Sequence, residues 1–127
     1  MSNIDQQTAT LNPAGAIPDV EIYFGQGQSG RFSCYLQDTN GHQALIKEGG
    51  TAIGGDLIGF SIGQQPGNLI GNYLCWDITV VSPSGGTNEQ YLVTISIRQG
   101  GSPVKVFQET GPMTAAYQSL LVYVRFQ

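Results

Sequence analysis

Charge is what this chain has least of. Asp, Glu, Lys and Arg together make up 11% of its 127 residues, less than half the usual share of about 25%. The five cations, Arg31, Lys47, Arg98, Lys105 and Arg125, are scattered, and nine carboxylates leave the chain at a net charge of −4. A nucleic-acid groove or an anionic membrane surface requires a basic stripe that displaces counterions, so neither is expected as a partner. Histidine is nearly absent as well. The single His42 directly follows Asn40-Gly41, an exposed turn position, and a Ser or Cys nucleophile elsewhere has no other imidazole to activate it. No catalytic residue is therefore assigned. One His and two widely separated Cys cannot assemble the four ligands of a structural zinc site, so no metal site is expected. No apolar run approaches the roughly 18 residues of a membrane-spanning helix, and Met1-Ser-Asn-Ile-Asp-Gln-Gln7 lacks the basic and apolar regions of a Sec-type signal. The expectation is a soluble protein, cytoplasmic or exported by a non-classical route. Cysteine usage points the same way: Cys34 falls in the apolar row Phe32, Cys34, Leu36, whereas Cys75 lies on the face opposite Trp76, so two free thiols are favoured over a bridge.

The chain is rich in glycine, with 18 residues, about twice average usage. Amides and hydroxyls supply the polarity that charge does not, and a 40% apolar content is enough for a core. Apolar residues recur with a period of two. The clearest case is 72–82, where Leu74, Trp76, Ile78 and Val80 share one face of an extended chain and Tyr73, Cys75, Asp77, Thr79 and Val81 share the other. The first row reads as core. Residues 90–98 alternate in the same way, with Tyr91, Val93, Ile95 and Ile97 on one face, and the two segments are expected to pair as a hairpin.

Further strands are read at 20–24, 31–37, 42–48, 56–63, 104–108 and the end of 114–127. Asn40-Gly41 predicts a tight two-residue hairpin turn, Gln64 to Asn68 a loop with a type II turn at Pro66-Gly67, and 114–118 the start of a short helical turn. Residues 1–18, polar and without periodicity, read as a flexible N-terminal arm, and 19–127 as one domain. With about eight strands, turn signals between them and no long helix, the expected fold is an all-β antiparallel sandwich with jelly-roll or Greek-key connections.

Function is approached by elimination. No glycine motif opens a helix in the manner of a phosphate-binding loop, and Asp38-Thr-Asn-Gly41 lacks the later ligands of a calcium loop. No cofactor is assigned, although calcium held by Asp56 and backbone carbonyls stays open as an alternative. Binding remains. Outward tyrosines with hydroxyl tips, beside loop amides and carboxylates, suit a pyranose with its apolar C–H faces and polar rim. The leading expectation is thus a non-catalytic, lectin-like carbohydrate-binding module, with Tyr35, Asp38, Asn40, Tyr73 and Asp77 as contact residues. Its alternative is a structural or assembly subunit, a homo-oligomer formed with other copies through sheet faces and the arm. A third is a glycoside hydrolase-type enzyme, whose discriminating feature would be two carboxylates brought together in a cleft.

Overall fold

The computed structural model describes residues 3–51, 57–83, 85 and 89–127. Among these described residues, nine strands run in the order β1 (Asn3–Ala9), β2 (Asp19–Phe24), β3 (Ser29–Gln37), β4 (Gln43–Thr51), β5 (Leu57–Ser61), β6 (Tyr73–Val81), β7 (Gln90–Gln99), β8 (Ser102–Pro112) and β9 (Tyr117–Phe126), with one helical turn, α1 (Pro66–Leu69). They form a five-stranded sheet, β1-β9-β6-β3-β4, and a four-stranded sheet, β5-β2-β7-β8. The expected all-β sandwich is therefore present, and all pairings are antiparallel except the parallel pair β1–β9. This strand order does not establish the finer expectation of jelly-roll connections.

Period-two alternation accounts for the two layers. Leu74, Trp76, Ile78 and Val80 of β6 and Leu120, Val122, Val124 and Phe126 of β9 are all at most 2% exposed. They meet Val20, Ile22 and Phe24 of β2 and Val93, Ile95 and Ile97 of β7, which have no exposed surface, in one hydrophobic core. Phe32 of β3, Phe60 of β5 and Trp76 form an aromatic cluster across the layers, with ring centroids 5.6–6.0 Å apart.

Several local expectations are corrected. β6 and β7 are not hairpin partners. Each has a continuous apolar face turned to the common core, but they belong to different sheets, β6 lying between β3 and β9 and β7 between β2 and β8. The hairpins within one sheet are β3–β4 and β7–β8. In the first, Asn-Gly does not make a two-residue turn. Only Gly41 has positive φ, at 82°, and the loop spans five residues, closed by Asp38 N–H to His42 O at 3.0 Å and Gly41 N–H to Asp38 O at 3.1 Å. Two consecutive positive-φ residues occur instead at Gly100-Gly101, at 59° and 82°, the two-residue turn between the paired Gln99 and Ser102 of β7 and β8, and at Gln26-Gly27, at 58° and 69°. The Gln26-Gly27 turn links β2 to β3 across the two sheets, and the buried Gln28 side chain ties it to β7 by donating to Gln90 O at 2.8 Å. Pro66-Gly67 opens α1 rather than a type II turn, because proline suits the first helical position. No helix forms at 114–118, where Tyr117 already begins β9.

The segment read as an arm supplies β1. Its signal was weak because of its inward positions only Ala9, at 1% exposure, is apolar and buried, followed by Leu11 at 4% in the loop beyond. Main-chain bonds from Leu11 N–H to Gln127 O and from Gln127 N–H to Ala9 O secure that end of the strand.

Candidate functional site

The four-stranded sheet covers only one side of β6, so the face carrying Tyr73, Cys75, Asp77 and Thr79 is the outer face of the five-stranded sheet. Strand register arranges this face in cross-strand rows. The central row runs Leu45, Tyr35, Cys75, Tyr123, Gln6 across β4, β3, β6, β9 and β1. On one side of it lies the row Gln43, Gln37, Tyr73, Arg125, Thr8, and on the other Glu48, Ser33, Asp77, Leu121, Ile4.

In the central row two tyrosines flank a small residue. Adjacent strands lie about 4.8 Å apart, which separates Tyr35 and Tyr123 by about 10 Å, with Cys75 as the floor between them. A slot of about 190 Å³ results, lined by Tyr35, Tyr123, Cys75, Asp77, Gln43 and Leu121. This explains how Cys75 is only 5% exposed on an outer face. Its thiol points toward Gln37 Oε1 at 4.0 Å, and burial pushes its pKa up to about 11. Cys34, on the core side, is raised further by burial, with Cys75 adding a smaller contribution.

Both thiols are free and both should be inert. At pH 8 only about one Cys75 in a thousand is thiolate. A colorimetric disulfide reagent is expected to find almost no reactive thiol in the native protein and two after denaturation; rapid native labelling would contradict the burial.

A second depression, of about 400 Å³, adjoins the slot along Asp77, with Arg31, Ser33, Glu48 and Thr79 in its lining. Asp77 is common to both and exposed. Among the five contact residues expected from sequence, Tyr35 and Asp77 come together at the slot. Tyr73 lies one row away, in a separate depression with Arg125, Gln6, Gln7 and Thr8. Asp38 and Asn40 belong to the β3–β4 loop and are not part of this wall. The Asp38 carboxylate is engaged within its own turn: Oδ1 accepts from Asn40 N–H at 2.9 Å and His42 N–H at 3.0 Å, and Oδ2 lies 3.5 Å from His42 Nδ1. The His42 backbone bond, followed by that from Asn40, holds its pKa below the usual carboxylate value.

No known protein family, curated protein or solved structure matches this chain. Its chemistry has to be argued from its own residues. Sequence reasoning passed over Gln43 and Leu121 and, although Tyr123 reads as an outward tyrosine, did not place it among the contact residues, since only the β3-β6-β9 order sets Tyr123 two strands from Tyr35.

Two carboxylates do meet, at a different place. Asp5 of β1 and Glu109 of β8 are hydrogen-bonded to each other beside a depression lined by Ile4, Tyr91, Leu120, Leu121 and Val122. Direct contact is closer than the roughly 5–9.5 Å that separates the carboxyl groups of glycosidases, so this pair does not have the geometry of the hydrolase reading. Among the described residues no three His, Cys, Asp or Glu side chains gather as a metal site, and Asp56, the candidate for loop calcium, lies outside the described residues. Among the described residues, no helix is long and apolar enough to cross a membrane.

Proposed function

We propose that the protein is a non-catalytic, lectin-like binding module that takes a carbohydrate residue in the slot between Tyr35 and Tyr123. The observation that carries this reading is the Tyr35-Cys75-Tyr123 row. Two amphipathic rings stand either side of a small floor, with Asp77 and Gln43 at the rim. The ring faces suit the C–H faces of a pyranose, and the hydroxyls, carboxylate and amide suit its equatorial oxygens. At about 190 Å³ the slot is smaller than the 300–1,000 Å³ of drug-sized sites, which favours a single terminal sugar.

The assembly alternative draws less support. The segment that would reach a neighbour already pairs with β9 of its own chain. The sheet edges carry features that discourage strand addition: β8 contains Pro103 and ends at Pro112, the β3–β4 and β7–β8 ladders carry register shifts, and β5 is five residues long.

A glycan array followed by calorimetric titration tests the proposal. A hit should weaken about 10-fold in Tyr35→Ala and again in Tyr123→Ala, the scale of about 1.5 kcal/mol for a well-placed aromatic contact. Tyr23→Ala, on the four-stranded sheet, should bind as wild type. Absence of any sugar binding at millimolar concentration would sink the reading.

A further inference from the structure

We propose that Asp5 and Glu109 form a proton-operated latch that closes the N-terminal half of β1 onto the four-stranded sheet, and that loss of their shared proton releases this half-strand and bares the edge of β9. The argument begins with how β1 is held. Its C-terminal end is anchored by burial, through Ala9 and Leu11, and by main-chain bonds to Gln127. Its N-terminal half has no such anchor. Ile4 points outward and is 66% exposed, while the inward positions that alternate with it carry Asp5 and Gln7, both polar. Among the described residues, what fastens this half beyond the ladder to β9 is the Asp5–Glu109 contact, which joins the edge strands of two different sheets. Ala9 to Leu11 is the natural hinge.

The pair needs a proton. Two carboxylates in contact repel, whereas a carboxylic acid donating to a carboxylate makes a short, strong bond. The groups around it assign the charge. Gln7 Nε2 donates to Asp5 Oδ2 at 2.8 Å, and Lys105 on β8 adds an attractive charge. Tyr91 of β7 and the apolar Leu120, Leu121 and Val122 of β9 complete the surroundings.

Glu109 Oε1 is buried and accepts no hydrogen bond, so Glu109 is the member that stays neutral. Accordingly, its hydrogen bond with Glu109 is the largest influence holding Asp5 below the usual value. Burial first, and then Asp5 itself, raise Glu109 to about 8. A carboxyl group raised in the fold contributes its full stabilisation below its unfolded value of about 4.3 and loses it as pH rises through the folded value. The latch is thus tightest in acidic solution, loosens as pH rises above about 4.3, and has lost this stabilisation once pH passes about 8, with one proton passing to solvent.

Amide hydrogen exchange on the full chain, expressed as protection factors corrected for intrinsic rates, reads the latch directly. Between pH 6 and pH 9, protection in residues 4–8 should fall at least 10-fold while that of β6 and β7 holds. Glu109→Gln, which cannot ionise but keeps a donor, should make β1 protection independent of pH. Unchanged β1 protection in the wild type, or the same loss in Glu109→Gln, would overturn the proposal. A carboxyl ¹³C titration of the wild-type protein makes the test independent of how the variant folds. Glu109 should titrate near 8, and a midpoint near the ordinary 4.3 would equally overturn it.

Discussion

Trp76→Ala should cost about 3–5 kcal/mol of stability, the range for truncating a large buried aromatic, against a total of about 5–15 kcal/mol for a domain of this kind. Trp76 is 1% exposed at the centre of β6. It contacts Phe32 from its own sheet and Phe60 from the other, at 5.6 and 5.8 Å between centroids, so its removal opens a cavity where the two layers meet. Urea unfolding followed by far-ultraviolet circular dichroism measures it, since the only tryptophan is lost as a fluorophore. With a slope of about 2 kcal/mol per molar, the midpoint should fall by about 2 M. Trp76→Phe sharpens the account. The indole Nε1 is buried with no hydrogen-bond partner, and an unmade bond of that kind costs about 1–3 kcal/mol. Phenylalanine removes volume but also that orphan donor, so it should cost less than half as much as alanine. Equal losses in the two variants would show that the N–H is satisfied, for instance by water.

Gly30→Ala is expected to be the second most damaging change, at about 2–3 kcal/mol or more, although it adds one methyl group. Gly30 faces inward on β3 opposite Val80, and the Phe24 ring packs flat against its backbone. A Cβ there would sit 2.1 Å from Phe24 Cε1 and 2.4 Å from Cδ1. Phe24 has no exposed surface, so its ring has nowhere to go, and overpacking of this kind forces rotamers and backbone out of place. The strain is steric, because Gly30 is not among the glycines with positive φ. A double-mutant cycle separates this from a general loss of flexibility. Phe24→Leu leaves room for the methyl group, so Gly30→Ala/Phe24→Leu should be more stable than the sum of the single losses by at least about 1 kcal/mol. Simple additivity would mean that the two residues do not clash.

Alternation was the signal that could be read without coordinates. The rows Leu74-Trp76-Ile78-Val80 and Tyr91-Val93-Ile95-Ile97 stood out as core because side chains in a strand alternate strictly between faces, and every one of these residues is buried. The same parity put Tyr73, Cys75 and Asp77 on a shared face away from the core. Parity says nothing about which strands become neighbours. Two equally apolar strands that follow one another in the chain can lie side by side in one sheet or belong to different sheets that share the core, and for β6 and β7 the second arrangement holds. β1 was hidden for a related reason: a parallel edge strand with polar inward positions draws its order from a ladder to β9, some 117 residues away along the chain, and leaves little periodic trace.

Residue type and spacing alone separated the core face of residues 72–82 from the face of Tyr73, Cys75, Asp77 and Thr79, but whether that second face is open or covered was decided by the tertiary structure, in which the four-stranded sheet packs on the other side of β6. So was the slot. It exists because β6 lies between β3 and β9 in a register that sets Cys75 between Tyr35 and Tyr123, while Tyr73 is carried into the next row beside Arg125. The contact of Asp5 with Glu109 likewise depends on two edge strands from different layers coming together. These are long-range pairings, fixed by how two sheets close over a common core, and no local pattern along the chain encodes them.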